Sequence, residues 1–175
     1  MKNSDRLLAL YHFWVAFAVF LPAVALGAWQ MLMRSPLPAP LDDTNAYYAS
    51  VTLHGTAMAY VITTFFAMGL GYAVIETSLG RPVRGIIAAW IGFVVCLVGT
   101  VMAVVTVLSG RATVLYTFYP PLLASPWYYF GAFLLIGGSM IWVVLMIYNM
   151  STWKRDNPGQ PVPLVMFAIT ATAIL

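Results

Sequence analysis

Five apolar stretches separated by short polar segments make up most of the chain. They cover residues 7–33, 46–75, 86–108, 127–150 and 162–175. A helix that crosses a bilayer needs about 20 mostly apolar residues, so each of the first four stretches predicts a complete spanning helix. The fifth has 14 residues before the sequence ends, and we expect it to be an incomplete span.

Composition supports a membrane protein and argues against other classes. Hydrophobic residues form 62% of the 175 residues and charged residues only 7%, against roughly 25% charged residues in a typical soluble domain. The few basic residues form no stripe of the kind that binds nucleic acid, so no nucleic-acid partner is expected. The predicted fold is all-α: one membrane domain over residues 1–175, a transmembrane bundle of four full spans and the start of a fifth.

The basic residues are divided unequally between the two sides of this predicted bundle. Arg34 and Arg111 lie on one side, and the other side carries six basic residues: Lys2, Arg6, Arg81, Arg84, Lys154 and Arg155. Basic residues are enriched in cytoplasmic loops, so the N-terminus is predicted to be cytoplasmic. Loops 34–45 and 109–126 then lie outside. Aromatic residues at the outer helix ends, Tyr128 among them, are interpreted as an interfacial belt.

His54 is the residue most informative about chemistry. It lies about eight residues into the second apolar stretch, roughly 12 Å below the outer helix end, and histidine at such a depth is usually functional. Its neighbours are small or hydroxylated, so a planar cofactor could approach and place a metal on the imidazole. A structural hydrogen bond to another helix is the alternative, and these residues alone leave both interpretations open.

Two other features have plainer interpretations. His12 lies near the cytoplasmic end of the first stretch, where an interfacial histidine needs no special role. The aromatic outer segment 111–121 shares a membrane face with His54 and could cover a cofactor there, with the hydroxyls of Tyr116 and Tyr119 as hydrogen-bond donors. An ordinary interfacial aromatic belt is the alternative for this segment.

Two segments, taken together and in order, resemble subunit I of the haem–copper terminal oxidases. Residues 47–55, Tyr-Tyr-Ala-Ser-Val-Thr-Leu-His-Gly, are similar to part of that subunit's second helix. Residues 112–122, Ala-Thr-Val-Leu-Tyr-Thr-Phe-Tyr-Pro-Pro-Leu, are similar to the outer loop after the third helix in the B-family of these enzymes. The resemblance extends over essentially the whole chain, which looks like the N-terminal part of a B-family subunit I.

The resemblance implies part of the catalytic subunit of a respiratory oxidase that reduces oxygen to water and pumps protons. By this match His54 is the metal ligand of the segment, one of the two axial ligands of a low-spin haem, b-type by expectation. Tyr116 corresponds to a residue of the family's apolar oxygen channel, and Tyr119 is expected beside the cofactor. A high-spin haem and copper are implied for the complete subunit, but their ligands lie outside these residues, so no catalytic residue is expected here.

The resemblance also implies partners and a location. The partners are the remainder of subunit I, a copper-carrying subunit II, and cytochrome c or quinol as electron donor, all at the prokaryotic plasma membrane. Because the sequence ends within an apolar stretch, we expect a portion of a larger subunit. Two alternatives stay open: a non-enzymatic membrane scaffold or transporter-like bundle with a structural His54, and a nitric oxide reductase of the same superfamily.

Overall fold

Five helices follow one another in the computed structural model, which describes residues 3–36 and 43–174. The first helix is Asn3–Met33, the second Thr44–Leu79, the third Ile86–Leu108, the fourth Pro126–Asp156 and the fifth Leu164–Ile174. Within the described ranges, the first four are long and apolar enough to cross a membrane, and the fifth is a shorter apolar helix. The predicted all-α bundle of four spans and a further apolar helix is therefore confirmed.

The helix bounds differ from the apolar stretches mainly at the ends that are predicted to face the cytoplasm. The third helix has the predicted bounds, but the second continues to Leu79 and the fourth to Asp156. The fourth helix gains a polar last turn with Lys154 and Arg155, whose positive charges suit the C-terminal end of a helix. The second helix ends where Gly80 adopts a left-handed conformation with φ of 63°. Residues 37–42 of the predicted outer loop and Leu175 lie outside the described residues.

Glycine contacts allow the third and fourth helices to pack closely. A Cβ atom at Gly131 would lie 2.7 Å from the carbonyl oxygen of Gly99, and one at Gly92 would lie 3.3 Å from that of Gly138. A larger side chain at the first of these contacts would push the two backbones apart. Such close packing through small residues is typical of helix pairs in membranes.

The loop between the second and third helices is fixed to the inner end of the fourth helix. Arg81 and Arg84 both form ion pairs with Asp156, at 3.0 and 2.7 Å. The buried amide of Asn149 accepts a hydrogen bond from the Arg84 N–H at 2.9 Å and donates to the Arg84 carbonyl at 3.1 Å. Partial burial, together with the nearby charge of Arg84, lowers the pKa of Arg81, and Asp156 opposes this change.

A smaller buried cluster joins the loop between the third and fourth helices, residues 109–125, to the bundle. This loop is called the outer loop because it is predicted to lie outside. The cluster is separate from the main core and contains residues of the third helix, the outer loop and the fourth helix: Ala103, Val107, Ala112, Val114 and Tyr128. Burial of these apolar side chains holds the segment between the third and fourth helices against the outer half of the bundle. The fold thereby places this loop beside the second helix, where His54 lies.

Candidate functional site

The imidazole of His54 lies between the second helix and the first. Its Nδ1 atom is 2.7 Å from the carbonyl oxygen of Ala23. The ring packs against Gly27, where a Cβ atom would lie 2.9 Å from Cε1 of His54. Because residue 27 is a glycine, there is room for the His54 ring against the first helix. The hydrogen bond to Ala23 fixes the orientation of that ring.

This hydrogen bond determines which ring nitrogen is available to a metal. A carbonyl oxygen can only accept, so Nδ1 of His54 carries the hydrogen and donates it. In the neutral ring the lone pair is then on Nε2. Histidines that bind metals usually donate their other N–H to a carbonyl or carboxylate in this manner, which sets both tautomer and ring orientation. The arrangement fits an axial haem ligand that binds iron through Nε2.

A π-helical turn begins three residues after His54. Residues Ala57–Ile62 form it, and the chain is α-helical on both sides. Single π-helical turns within α-helices occur frequently at functional sites. Tyr60, in this turn, donates a hydrogen bond from its hydroxyl to the carbonyl oxygen of Tyr116 at 3.0 Å, so the turn provides one contact between the second helix and the outer loop.

The outer loop is folded back on the second helix by further contacts. The Leu115 N–H donates to Oγ1 of Thr52 at 2.9 Å, and Ala112 and Val114 are buried. Leu115 and Phe118 have φ values of 62° and 56°, in a left-handed region that costs non-glycine residues energy. These contacts hold the loop in a defined conformation above the site.

The two tyrosines singled out from the sequence have different surroundings. The ring of Tyr116 lies against Gly55, the residue next to His54, where a Cβ atom would be only 2.5 Å from its Cδ1. Tyr119 donates its N–H to the Val114 carbonyl at 2.9 Å, but its side chain is 62% exposed. The structure thus brings Tyr116 beside the His54 segment and leaves the ring of Tyr119 on the surface of the described chain.

Tyr128 is not the belt residue that the sequence indicated. Its side chain is buried, with 1% exposure, and its hydroxyl is 2.6 Å from Oγ1 of Thr56. The prediction was wrong because the start of the fourth helix turns this side chain towards the second helix, while its neighbours Trp127 and Tyr129 remain exposed.

Two apolar cavities adjoin the Thr56–Tyr128 pair. One, of about 370 Å³, lies among the first, second and third helices, and the other, of about 150 Å³, lies among the second, third and fourth. Both are lined by the same five residues, Thr56, Val61, Thr100, Ala103 and Tyr128. The hydrogen-bonded pair therefore stands between two spaces that small apolar molecules could enter.

Sequence reasoning identified His54 but not the groups that hold it. Ala23 and Gly27 lie about thirty residues earlier in the chain, on another helix. Nothing in the local sequence distinguishes Gly27 from the other glycines of the apolar stretches. His12, expected at the interface, is fully enclosed by the bundle because it lies on the face of the first helix that packs against the second and third.

Comparison with known proteins gives two matches. Residues 7–175 match the family model described as cytochrome C and quinol oxidase polypeptide I. Over 170 residues the chain is 29% identical to the cytochrome c oxidase subunit 1 of Thermus thermophilus. That alignment covers 93% of this chain and 30% of the relative, so the chain spans about 30% of the length of the curated relative it matches.

Proposed function

Because this chain belongs to the cytochrome c and quinol oxidase polypeptide I family, the haem–copper oxidase subunit I family, we propose that it is part of a respiratory terminal oxidase. The complete enzyme reduces oxygen to water and pumps protons. Since the chain spans 30% of its Thermus relative, we assign this activity to a larger subunit that contains residues 1–175. The high-spin haem and copper are held by other parts of that subunit.

His54 is, in this proposal, one axial ligand of the low-spin haem. The observation that carries the proposal is the partly enclosed position of the His54 ring, in which the hydrogen bond from Nδ1 to the Ala23 carbonyl leaves the lone pair on Nε2. A second histidine from outside this segment completes the site. Two imidazole ligands keep haem iron six-coordinate, which suits electron transfer rather than oxygen binding.

The outer loop supports a B-family assignment and a role in oxygen access. Tyr116 packs beside Gly55, next to the proposed ligand, and belongs to the segment whose sequence resembles the B-family loop. We propose that Tyr116 lines part of the oxygen channel and that Tyr119 lies near the haem edge in the complete subunit. The apolar cavities beside Thr56 are compatible with passage of a small apolar gas.

The location and partners follow from the proposed enzyme. The subunit is integral to a prokaryotic plasma membrane with its N-terminus in the cytoplasm, as the distribution of basic residues indicates. It assembles with a copper-carrying subunit II and receives electrons that originate from cytochrome c or quinol. A tag in loop 109–126 should react only with reagents added from the outside, and labelling only from the cytoplasm would contradict the orientation.

The haem proposal is tested by His54→Ala in the complete enzyme. We expect the low-spin haem band to be absent from the reduced optical spectrum, because the iron loses an axial nitrogen. His12→Phe is the matched control, since His12 is enclosed in the bundle core, and it should retain the band. An unchanged low-spin band in His54→Ala would make His54 a structural histidine and would remove the main support for the proposal.

A further inference from the structure

Five buried side-chain nitrogen or oxygen atoms have no hydrogen-bond partner among the described residues. Two of them lie near each other in the half of the bundle nearest the 80–85 loop. They are Nε2 of His12 and the hydroxyl oxygen, Oη, of Tyr72. The two rings are neighbours, with centroids 5.3 Å apart and planes inclined by 55°. Both side chains are almost fully enclosed, with 0% and 1% exposure. An unpaired polar atom in such a position is strongly unfavourable, so each needs a partner.

The two atoms are complementary in their hydrogen-bonding roles. Nδ1 of His12 is 2.8 Å from the carbonyl oxygen of Leu8, and since a carbonyl only accepts, Nδ1 carries the hydrogen. Nε2 of the neutral ring is therefore an acceptor that lacks a donor. The Tyr72 hydroxyl carries a hydrogen that lacks an acceptor. A molecule between them must accept from the phenol and donate to the imidazole.

The two phenylalanine rings that pack on the imidazole cannot provide that partner. The ring of Phe93 lies 4.8 Å and that of Phe65 5.7 Å from the imidazole, measured between centroids. The first helix approaches closely at Gly69, where a Cβ atom would lie 3.0 Å from Cβ of His12. The pair is thus sealed by aromatic rings and by the contact between two helices.

Another of these unpaired buried atoms, Nε1 of Trp142, lies on another side of the second helix. A Cβ atom at Gly71 would lie 2.6 Å from that nitrogen. Gly71 and Tyr72 are consecutive, so they face directions about 100° apart on the helix. The Trp142 indole is therefore not part of the His12–Tyr72 pair.

We propose that one buried water molecule connects the first and second helices by accepting a hydrogen bond from Tyr72 and donating one to Nε2 of His12. Buried waters in proteins typically satisfy polar groups that lack another partner, and make two to four hydrogen bonds. Water has the required combination of one acceptor and one donor function. The site is independent of the haem proposal, because it uses neither His54 nor its contacts.

A high-resolution structure of the complete oxidase tests the water site directly. We expect a density peak within roughly 3 Å of both Oη of Tyr72 and Nε2 of His12. The absence of such a peak, or a direct bond between the two side chains, would overturn the proposal.

A double-mutant cycle on the complete oxidase gives a second, independent test. Tyr72→Phe should lower the thermal midpoint, because the water loses a donor, and it should lower it less when His12→Phe is already present. Tyr148→Phe, at a half-exposed tyrosine of the fourth helix, is the control and should leave the midpoint unchanged. If the Tyr72 hydroxyl is unpaired instead, its removal relieves an unfavourable burial. A midpoint that is unchanged or raised in Tyr72→Phe, or effects that simply add, would therefore refute the bridge.

Discussion

His54 and His12 lie on different spanning helices, and in both rings Nδ1 is within hydrogen-bond distance of a main-chain carbonyl. His54 reaches the Ala23 carbonyl on the first helix, 31 residues away in sequence. His12 reaches the Leu8 carbonyl of its own helix, four residues earlier. Both rings therefore have the same tautomer, with the lone pair on Nε2. They differ in what surrounds that second nitrogen.

The surroundings, rather than the depth or the tautomer, separate a candidate ligand from a core residue. His54 is only partly enclosed by the described chain, where Gly27 makes room for its ring and Gly55 for the ring of Tyr116. His12 is enclosed by the rings of Phe65, Tyr72 and Phe93. The imidazole of His54 is thus accessible from outside the described chain, and that of His12 is not.

Among the variants that test this difference between the two histidines, Gly27→Val has the largest expected effect. The new side chain would overlap the His54 ring, since even a Cβ atom would lie 2.9 Å from Cε1. Crowding of this kind costs about 1–3 kcal/mol, which corresponds to ligation weakened by roughly fivefold to more than a hundredfold. We expect most of the low-spin band to be lost from the reduced spectrum of the complete enzyme.

Ala28→Val is the matched control for Gly27→Val. Ala28 is the next residue of the same helix and is exposed on the described chain, so the same side chain there should leave the band unchanged. Equal losses from both variants would mean that the first helix, and not the contact with His54, determines haem binding.

A different effect, on stability and not on haem binding, is expected at the corresponding contact of His12. Gly69→Val crowds Cβ of His12, at 3.0 Å from the position of a Cβ atom, and should destabilise the bundle by about 1–3 kcal/mol. Thermal unfolding measures the loss, with Leu70→Val on the exposed side as control. The folded fraction should keep a normal low-spin band, and loss of that band would show that the two histidine regions are coupled.

These regions also show what could and could not be predicted from the sequence. The length of the apolar stretches was sufficient for the four spans, because the bilayer sets the length of a spanning helix. The depth of His54 in the second apolar stretch made it the candidate ligand, and that role stays a prediction. Its contacts with Ala23 and Gly27 depend on how two helices pack, which leaves no local pattern in either segment. The burial of Tyr128 and the π-helical turn at Ala57–Ile62 likewise depend on tertiary packing.

The smallest expected effect comes from Thr52→Val. This variant tests whether the outer loop supports the His54 region and not the His12 region. Thr52→Val removes the hydroxyl oxygen that accepts the Leu115 N–H at 2.9 Å and keeps the side-chain shape. A typical hydrogen bond contributes about 0.5–1.5 kcal/mol, so global stability should fall by about that amount.

Thr52→Val should affect the dynamics of the outer loop more than the stability of the whole protein. Hydrogen exchange should become faster in loop residues 111–125, because one of the contacts that hold them on the second helix is lost. Exchange around His12 should stay the same. Thr63→Val is the matched control, since that hydroxyl donates only within its own helix, to Ala59 at 2.6 Å and to Tyr60 at 3.3 Å. If both variants changed loop exchange equally, the Thr52 contact would not be what holds the loop over the site, and the difference between the two histidine regions would have to come from the glycine contacts alone.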